Sequence, residues 1–192
     1  MKRSLGARTL VYPTPVFLVG TYDQRGAPNI MTAAWAGICC SRPPCLAVSL
    51  RSATHSHGSI LRGKAFTISV VGADQVRAAD FAGIYSGRDR DKFEELQLTP
   101  VRSTLVDAPY VDQAPLVLEC ALRHVHELGL HTQFVGEILD VKAEESTLNE
   151  KGLPCIDRVD PLIYASGDQS YYRVGERVAA AFSVGRDPHD AK

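Results

Sequence analysis

Between residues 29 and 57 the chain brings small, hydroxyl-bearing and cationic residues into close succession. Thr32, Ala33, Ala34 and Gly37 surround Trp35, and such small residues let backbone N–H groups approach a flat ring while an indole supplies an aromatic wall. Ser49, Arg51 and Thr54 follow, with Ser56 and His57 just beyond. Hydroxyls with a guanidinium are a donor set for a phosphate dianion, which arginine grips bidentately and a helix N-terminus supplements with further N–H donors. Two plainer readings stand beside these. The small residues also suit close packing of a strand, and Arg51 alone also suits a solvated strand end. His55 and His57 lack the neighbouring carboxylate or cysteine that would make them a metal pair.

These residues need elements to hold them. Residues 16–22 are rich in β-branched and aromatic side chains, residues 23–26 (Asp-Gln-Arg-Gly) supply turn chemistry, and a second strand is expected near residues 28–35, giving a hairpin. Short apolar runs at 45–50 and 65–71 read as strands. Between them, Thr54 is placed to cap a short helix through Leu61. From 73 to 98 the apolar spacing is helical, broken by Ser86-Gly87 into two helices, the second opening at Asp89 with acidic residues favourable at a helix N-terminus. Residues 115–128 and 132–143 alternate apolar and polar over much of their length, as in antiparallel strands with one buried face. Many strands with two helices inserted suggest a closed or nearly closed barrel, since closure removes exposed edges.

The 192 residues, 45% of them hydrophobic, suffice for one core. No repeat, low-complexity stretch or linker divides them, so residues 1–192 are expected to form a single domain. A net charge of -1, with 21 basic residues spread along the chain, gives no basis for nucleic-acid or polybasic membrane binding and points to a small-molecule partner. The N-terminus lacks the apolar core of a signal peptide, and no run reaches the roughly 18 apolar residues of a membrane helix, so a cytoplasmic location is expected. Five cysteines, Cys39, Cys40, Cys45, Cys120 and Cys155, with no Cys-x-x-Cys pair, argue for free thiols over a disulfide framework or zinc site.

The order Asn29-x-x-Thr32-x-x-Trp35, Pro43-Pro44, Ser49-x-Arg51, Ser86-Gly87 with Lys92-Phe93, Gly129-x-His131, Gly136-Glu137 and Pro161-Leu162 resembles the flavin-reductase-like FMN-binding family, flavoredoxins included. Each motif is weak and the order is specific. The resemblance spans Thr14 to nearly Gly185 and implies a mainly β fold with inserted helices, an FMN-binding split β-barrel, assembled as a homodimer with FMN near the subunit interface. It implies that Asn29, Thr32, Ala33, Ala34 and Trp35 lie along the isoalloxazine. Ser49, Arg51, Thr54, Ser56 and His57 would then hold the phosphate. Ser86 and Lys92 belong to a stretch that closes over the cofactor, although a solvated helix start fits Lys92 as well. His131 is similar to a histidine placed near the flavin and an incoming nicotinamide, in a catalytic role; a strand-end histidine satisfied by backbone fits too. Tyr171 and Tyr172 rank behind these as an aromatic far wall. Cys39 and Cys40 depart from the commoner pattern, and Cys40 either faces the flavin or is a small buried hydrophobe.

The activity so implied is an oxidoreductase in which bound FMN accepts hydride from NADH or NADPH and passes electrons to free flavin or a redox protein partner. The alternative is a flavoredoxin-type electron carrier with no nicotinamide turnover of its own. No metal is expected. The sequence holds no Gly-x-Gly-x-x-Gly loop with a downstream acidic residue, so no Rossmann-type residue selects between NADH and NADPH.

Overall fold

The computed structural model describes residues 1–186. In chain order the elements are β1 (Thr14–Pro15), β2 (Phe17–Tyr22), β3 (Pro28–Ala33), β4 (Ala36–Ser41), β5 (Pro44–Arg51), α1 (His55–Gly63), β6 (Ala65–Val70), α2 (Val76–Ile84) and α3 (Lys92–Glu95). They are followed by β7 (Pro100–Arg102), β8 (Pro109–Val111), β9 (Leu116–Leu128), β10 (His131–Ala143), α4 (Ile156–Val159), β11 (Ile163–Ala165) and β12 (Ser170–Tyr172).

Seven strands form one antiparallel sheet in the order β3-β2-β6-β9-β10-β5-β4. Its two outermost strands, β3 and β4, are joined in the chain by Ala34 and Trp35 alone. Two residues span only about 7 Å, so the sheet must curl until its edges lie side by side. The Ser49 amide, in β5, donates to the Trp35 carbonyl at 2.9 Å and stitches that seam. This is the split barrel expected above, with mostly strand and few helices.

Side chains inside the curl form one core, including Val19, Leu46, Val48, Phe66, Ile68 and Phe134. Gly136 on β10 is required there: a Cβ would lie 2.6 Å from the Phe66 ring and 2.9 Å from the Cys120 Cβ, and the ladder to β9 is bulged next to it, between Val135 and Gly136. On the outer face of β2 and β3 a second core gathers Leu18, Ile30, Ala79, Ala82 and Phe93 beneath α2 and α3. The β1-β11-β12 sheet and the β7-β8 hairpin are separate small sheets.

The expected hairpin, the helix after Thr54 and the long strand pair are all present. Three differences have physical causes. Residues 36–41, unassigned from sequence, are β4, whose side chains are mostly exposed because it is an edge strand, so no alternation marks it. The second mid-chain helix begins at Lys92 instead of Asp89, because the Asp91 carboxylate accepts from the Phe93 and Glu94 amides, both at 3.1 Å, and fixes the start. The short strands β1, β7, β8 and β12 lie below the length at which periodicity is readable.

Candidate functional site

A cavity of about 320 Å³ opens where α1, the end of α2 and the loop before α3 meet β3. From the strand side Asn29 and Met31 reach it, because they alternate onto the same face of β3. Arg51 enters from the end of β5, and Thr54 and Ser56 from the start of α1. Gly83, Tyr85, Ser86, Gly87, Arg88 and Lys92 close the other side.

Local sequence explains each placement. Thr54 is extended, with φ -73° and ψ 149°, and stands at the N-cap of α1. Its hydroxyl turns back to the Arg51 carbonyl at 2.9 Å instead of capping, so no side chain caps the first turn. The buried Asn29 amide donates to the buried Ser56 hydroxyl at 3.0 Å, tying β3 to α1. Gly87 must be glycine, because a Cβ would stand 2.0 Å from the Asn29 Oδ1. Arg88 folds over the mouth by donating to the Ala53 carbonyl at 3.0 Å.

Lys92 is 3% exposed and donates to the Ile30 carbonyl at 2.8 Å and the Ala82 carbonyl at 2.9 Å. Burial holds its ammonium down at about 8, below the ordinary 10.5. Burial also lowers His55, and the Arg88 charge adds to that. Three cationic side chains, Arg51, Arg88 and Lys92, thus line a space to which no Asp or Glu contributes. Adding the open N-terminus of α1, the arrangement is built for an anion.

Of the residues singled out from sequence, the structure gathers Asn29, Arg51, Thr54, Ser56, Ser86 and Lys92 in this cavity. The others lie elsewhere. Thr32 and Ala34 line a second cavity of about 310 Å³, with Asp80, Tyr164, Gln169 and Tyr171, that meets the first at Gly83 and Ile84. Ala33 points into the barrel core; successive strand side chains alternate, so Thr32 and Ala33 cannot share a face. Trp35 is exposed at the seam. His57 turns away to bond the Thr132 hydroxyl at 2.9 Å and to pack edge-on against Phe134. Ser49 lies opposite Gln133, and His131 opposite Arg51, both on the β5-β10 ladder outside the first cavity.

Cys40 is exposed on β4, its thiol directed to the Arg42 carbonyl. It is neither the buried hydrophobe nor a lining of either cavity, because β4 is an edge strand. Tyr171 does form a wall, of the second cavity, whereas Tyr172 bonds Asp168 in the open. Arg88 and Tyr85 were missed from sequence because a run of mixed charge reads as a wet surface. The Ser86-Gly87 break was the signal that the chain turns inward there.

A family model described as flavin reductase like domain matches residues 8–173. Among solved structures the fold is similar to flavoredoxin of Desulfovibrio vulgaris (Miyazaki F), 59% identical, with a TM-score of 0.93 over 97% of this chain and 100% of that one. It is also similar to flavoredoxin from Methanosarcina acetivorans, 28% identical, with a TM-score of 0.90 over 97% and 98%. A third neighbour is an FMN-binding protein from Thermus thermophilus with bound 1-cyclohex-2-enone, 28% identical, with a TM-score of 0.78 over 94% and 97%. With its curled seven-stranded sheet, its inserted helices and this match over most of its length, the chain belongs to the flavin reductase-like family.

Proposed function

We propose that this protein is an FMN-binding oxidoreductase that takes electrons from NADH or NADPH and passes them to free flavin or to a protein acceptor. The observation that carries this reading is the cavity with three cations and no carboxylate beside the uncapped first turn of α1. That donor set fits the dianionic phosphate of FMN. Arg51 and Arg88 hold the phosphate from opposite sides, the α1 amides and the Thr54 and Ser56 hydroxyls complete its shell, and Lys92 supports it from beneath. Met31 and Gly83 give the remaining wall a small and apolar character suited to a flat ring directed toward the junction of the two cavities.

When bound, FMN supplies the redox chemistry. The residues bind and orient it. Lys92 is the one group in the cavity whose proton affinity is moved close to the working range, so it adjusts its charge to the anion it faces. A homodimer fits the exposed apolar side chains Ile38, Leu128, Leu130 and Val141 on β4 and the β9-β10 hairpin.

A second reading, an electron carrier that does not turn over a nicotinamide, is favoured by the 59% identity to a flavoredoxin. One experiment separates the two. The purified protein is loaded with FMN, desalted, and mixed anaerobically with NADH and then NADPH while flavin absorbance is followed. Bleaching by either nucleotide within seconds supports the reductase. A retained flavin that is reduced only by a protein donor supports the carrier, and failure to retain any flavin rejects both.

A further inference from the structure

The second cavity has the opposite electrostatic character from the first, although the two meet at Gly83 and Ile84. Its only charged lining residue is Asp80, which projects from α2. Among the described residues Asp80 forms no ion pair; its hydrogen-bond partner is the Tyr171 hydroxyl, which donates to Oδ1 at 3.0 Å. Burial, with that bond second, pushes the Tyr171 phenol up to about 12, so it remains a donor across the working range and fixes the carboxylate in place. Tyr171 packs against Tyr164, ring centroids 5.6 Å apart at 49°, and both rings line the cavity. The facing side, Thr32 and Ala34, is small.

An aromatic wall, an unneutralised carboxylate at its edge and a low opposite wall together select a flat ligand bearing positive charge. The ring faces attract a cation through their quadrupole, and the carboxylate adds direct Coulomb attraction. A phosphate or carboxylate ligand would meet Asp80 unfavourably, so the two adjoining cavities sort ligands by sign.

We propose that the cavity between α2 and the β11-β12 hairpin is a binding site for a planar organic cation of the pyridinium class. It adjoins the anion cavity without overlapping it. The proposal rests on the flavin reading only for what occupies the neighbouring cavity; the cation site itself stands on Asp80, Tyr164 and Tyr171.

The test compares two probes of nearly the same shape, 1-methylnicotinamide, a cation, and nicotinamide, which is neutral. Each is titrated by ligand-observed NMR into the full chain, as purified and again after saturation with FMN. The expected result is about ten-fold tighter binding of the cation at low salt, in both states of the protein. That preference should fall below two-fold in Asp80→Asn, which keeps a hydrogen-bond acceptor for Tyr171, and persist in Asp74→Asn, which removes an exposed carboxylate outside the cavity. Tyr164→Leu should weaken both probes.

Equal affinity for the two probes, a preference that survives Asp80→Asn, or loss of the cation on FMN saturation would each overturn the proposal. Failure of the protein to take up FMN would reject the flavin reading while leaving the cation result to be read by itself.

Discussion

The buried Asn29 amide donates to the buried Ser56 hydroxyl across 3.0 Å, and through that one bond strand β3 sets the position of the first turn of α1. Gly87 presses on the other atom of the same amide group, so Asn29 is held between the helix and the loop that closes the cavity.

Asn29→Ala should therefore cost stability and cofactor affinity together. Losing a buried partner leaves Ser56 unsatisfied, worth about 1–3 kcal/mol, and frees the first turn of α1. Thermal unfolding and an FMN fluorescence titration on the same sample measure the two losses. A stable variant with unchanged FMN affinity would separate Asn29 from the site.

Arg51→Ala and Arg88→Ala should each weaken FMN by roughly 1.5–3 kcal/mol, the range for a charge-assisted hydrogen bond, and leave riboflavin, which lacks the phosphate, nearly unaffected. Titrating both flavins distinguishes a phosphate contact from general damage. An equal loss for FMN and riboflavin would place the arginine's role in the fold.

Lys92 carries a pH signature. Its native ammonium titrates near 8 against 10.5 for the ordinary group. Between those values the unfolded chain holds more protons, so stability rises with pH across that window. The contribution is full above 10.5 and is lost as pH falls through 8, an effect on the order of 2–3 kcal/mol. Denaturant unfolding of wild type and Lys92→Met across pH 7.5 to 10.5 should show that rise in the wild type alone. Phosphate binding raises the lysine again, so FMN uptake near pH 8.5 should draw protons from solution, measurable by calorimetry in buffers of different ionisation enthalpy.

His131 stands opposite Arg51 on the β5-β10 ladder. His131→Ala should slow reduction of bound flavin by NADH or NADPH by about ten-fold, at the low end for a polar group near a reacting centre, while FMN affinity changes less than two-fold. Stopped-flow reduction at saturating nucleotide provides the comparison. An unchanged rate would make His131 a structural strand-end residue.

Much of the site was readable where chemistry and spacing coincide. Ser49-x-Arg51 and Thr54-x-Ser56 fall at a strand end and a helix start, and both positions follow from local apolar patterns. Residues whose roles depend on long-range packing were not readable. Thr32 to Trp35 form an unbroken run of plausible ligand contacts, yet the pleat sends Thr32 to one face and Ala33 to the other, and the seam leaves Trp35 exposed. His57 lies two residues past Ser56, but the helix turns it toward Thr132 and Phe134. Arg88 reaches the cavity only because the loop after α2 folds back on Ala53, and Asp80 meets Tyr171 across 91 residues of chain.

The strand order β3-β2-β6-β9-β10-β5-β4 also bears on how the chain reaches this state. The pairs β2-β3, β4-β5 and β9-β10 are hairpins of neighbouring segments, which close on the microsecond scale. Strand β6 alone joins the first hairpin to the third, and β5 must find β10 across some eighty residues. Such non-local seams set folding in the millisecond-to-second range. Nascent chains thus hold three preformed ribbons with unpaired edges until β6 docks, and that interval, more than any weakness of the finished barrel, is when the protein is most exposed to aggregation.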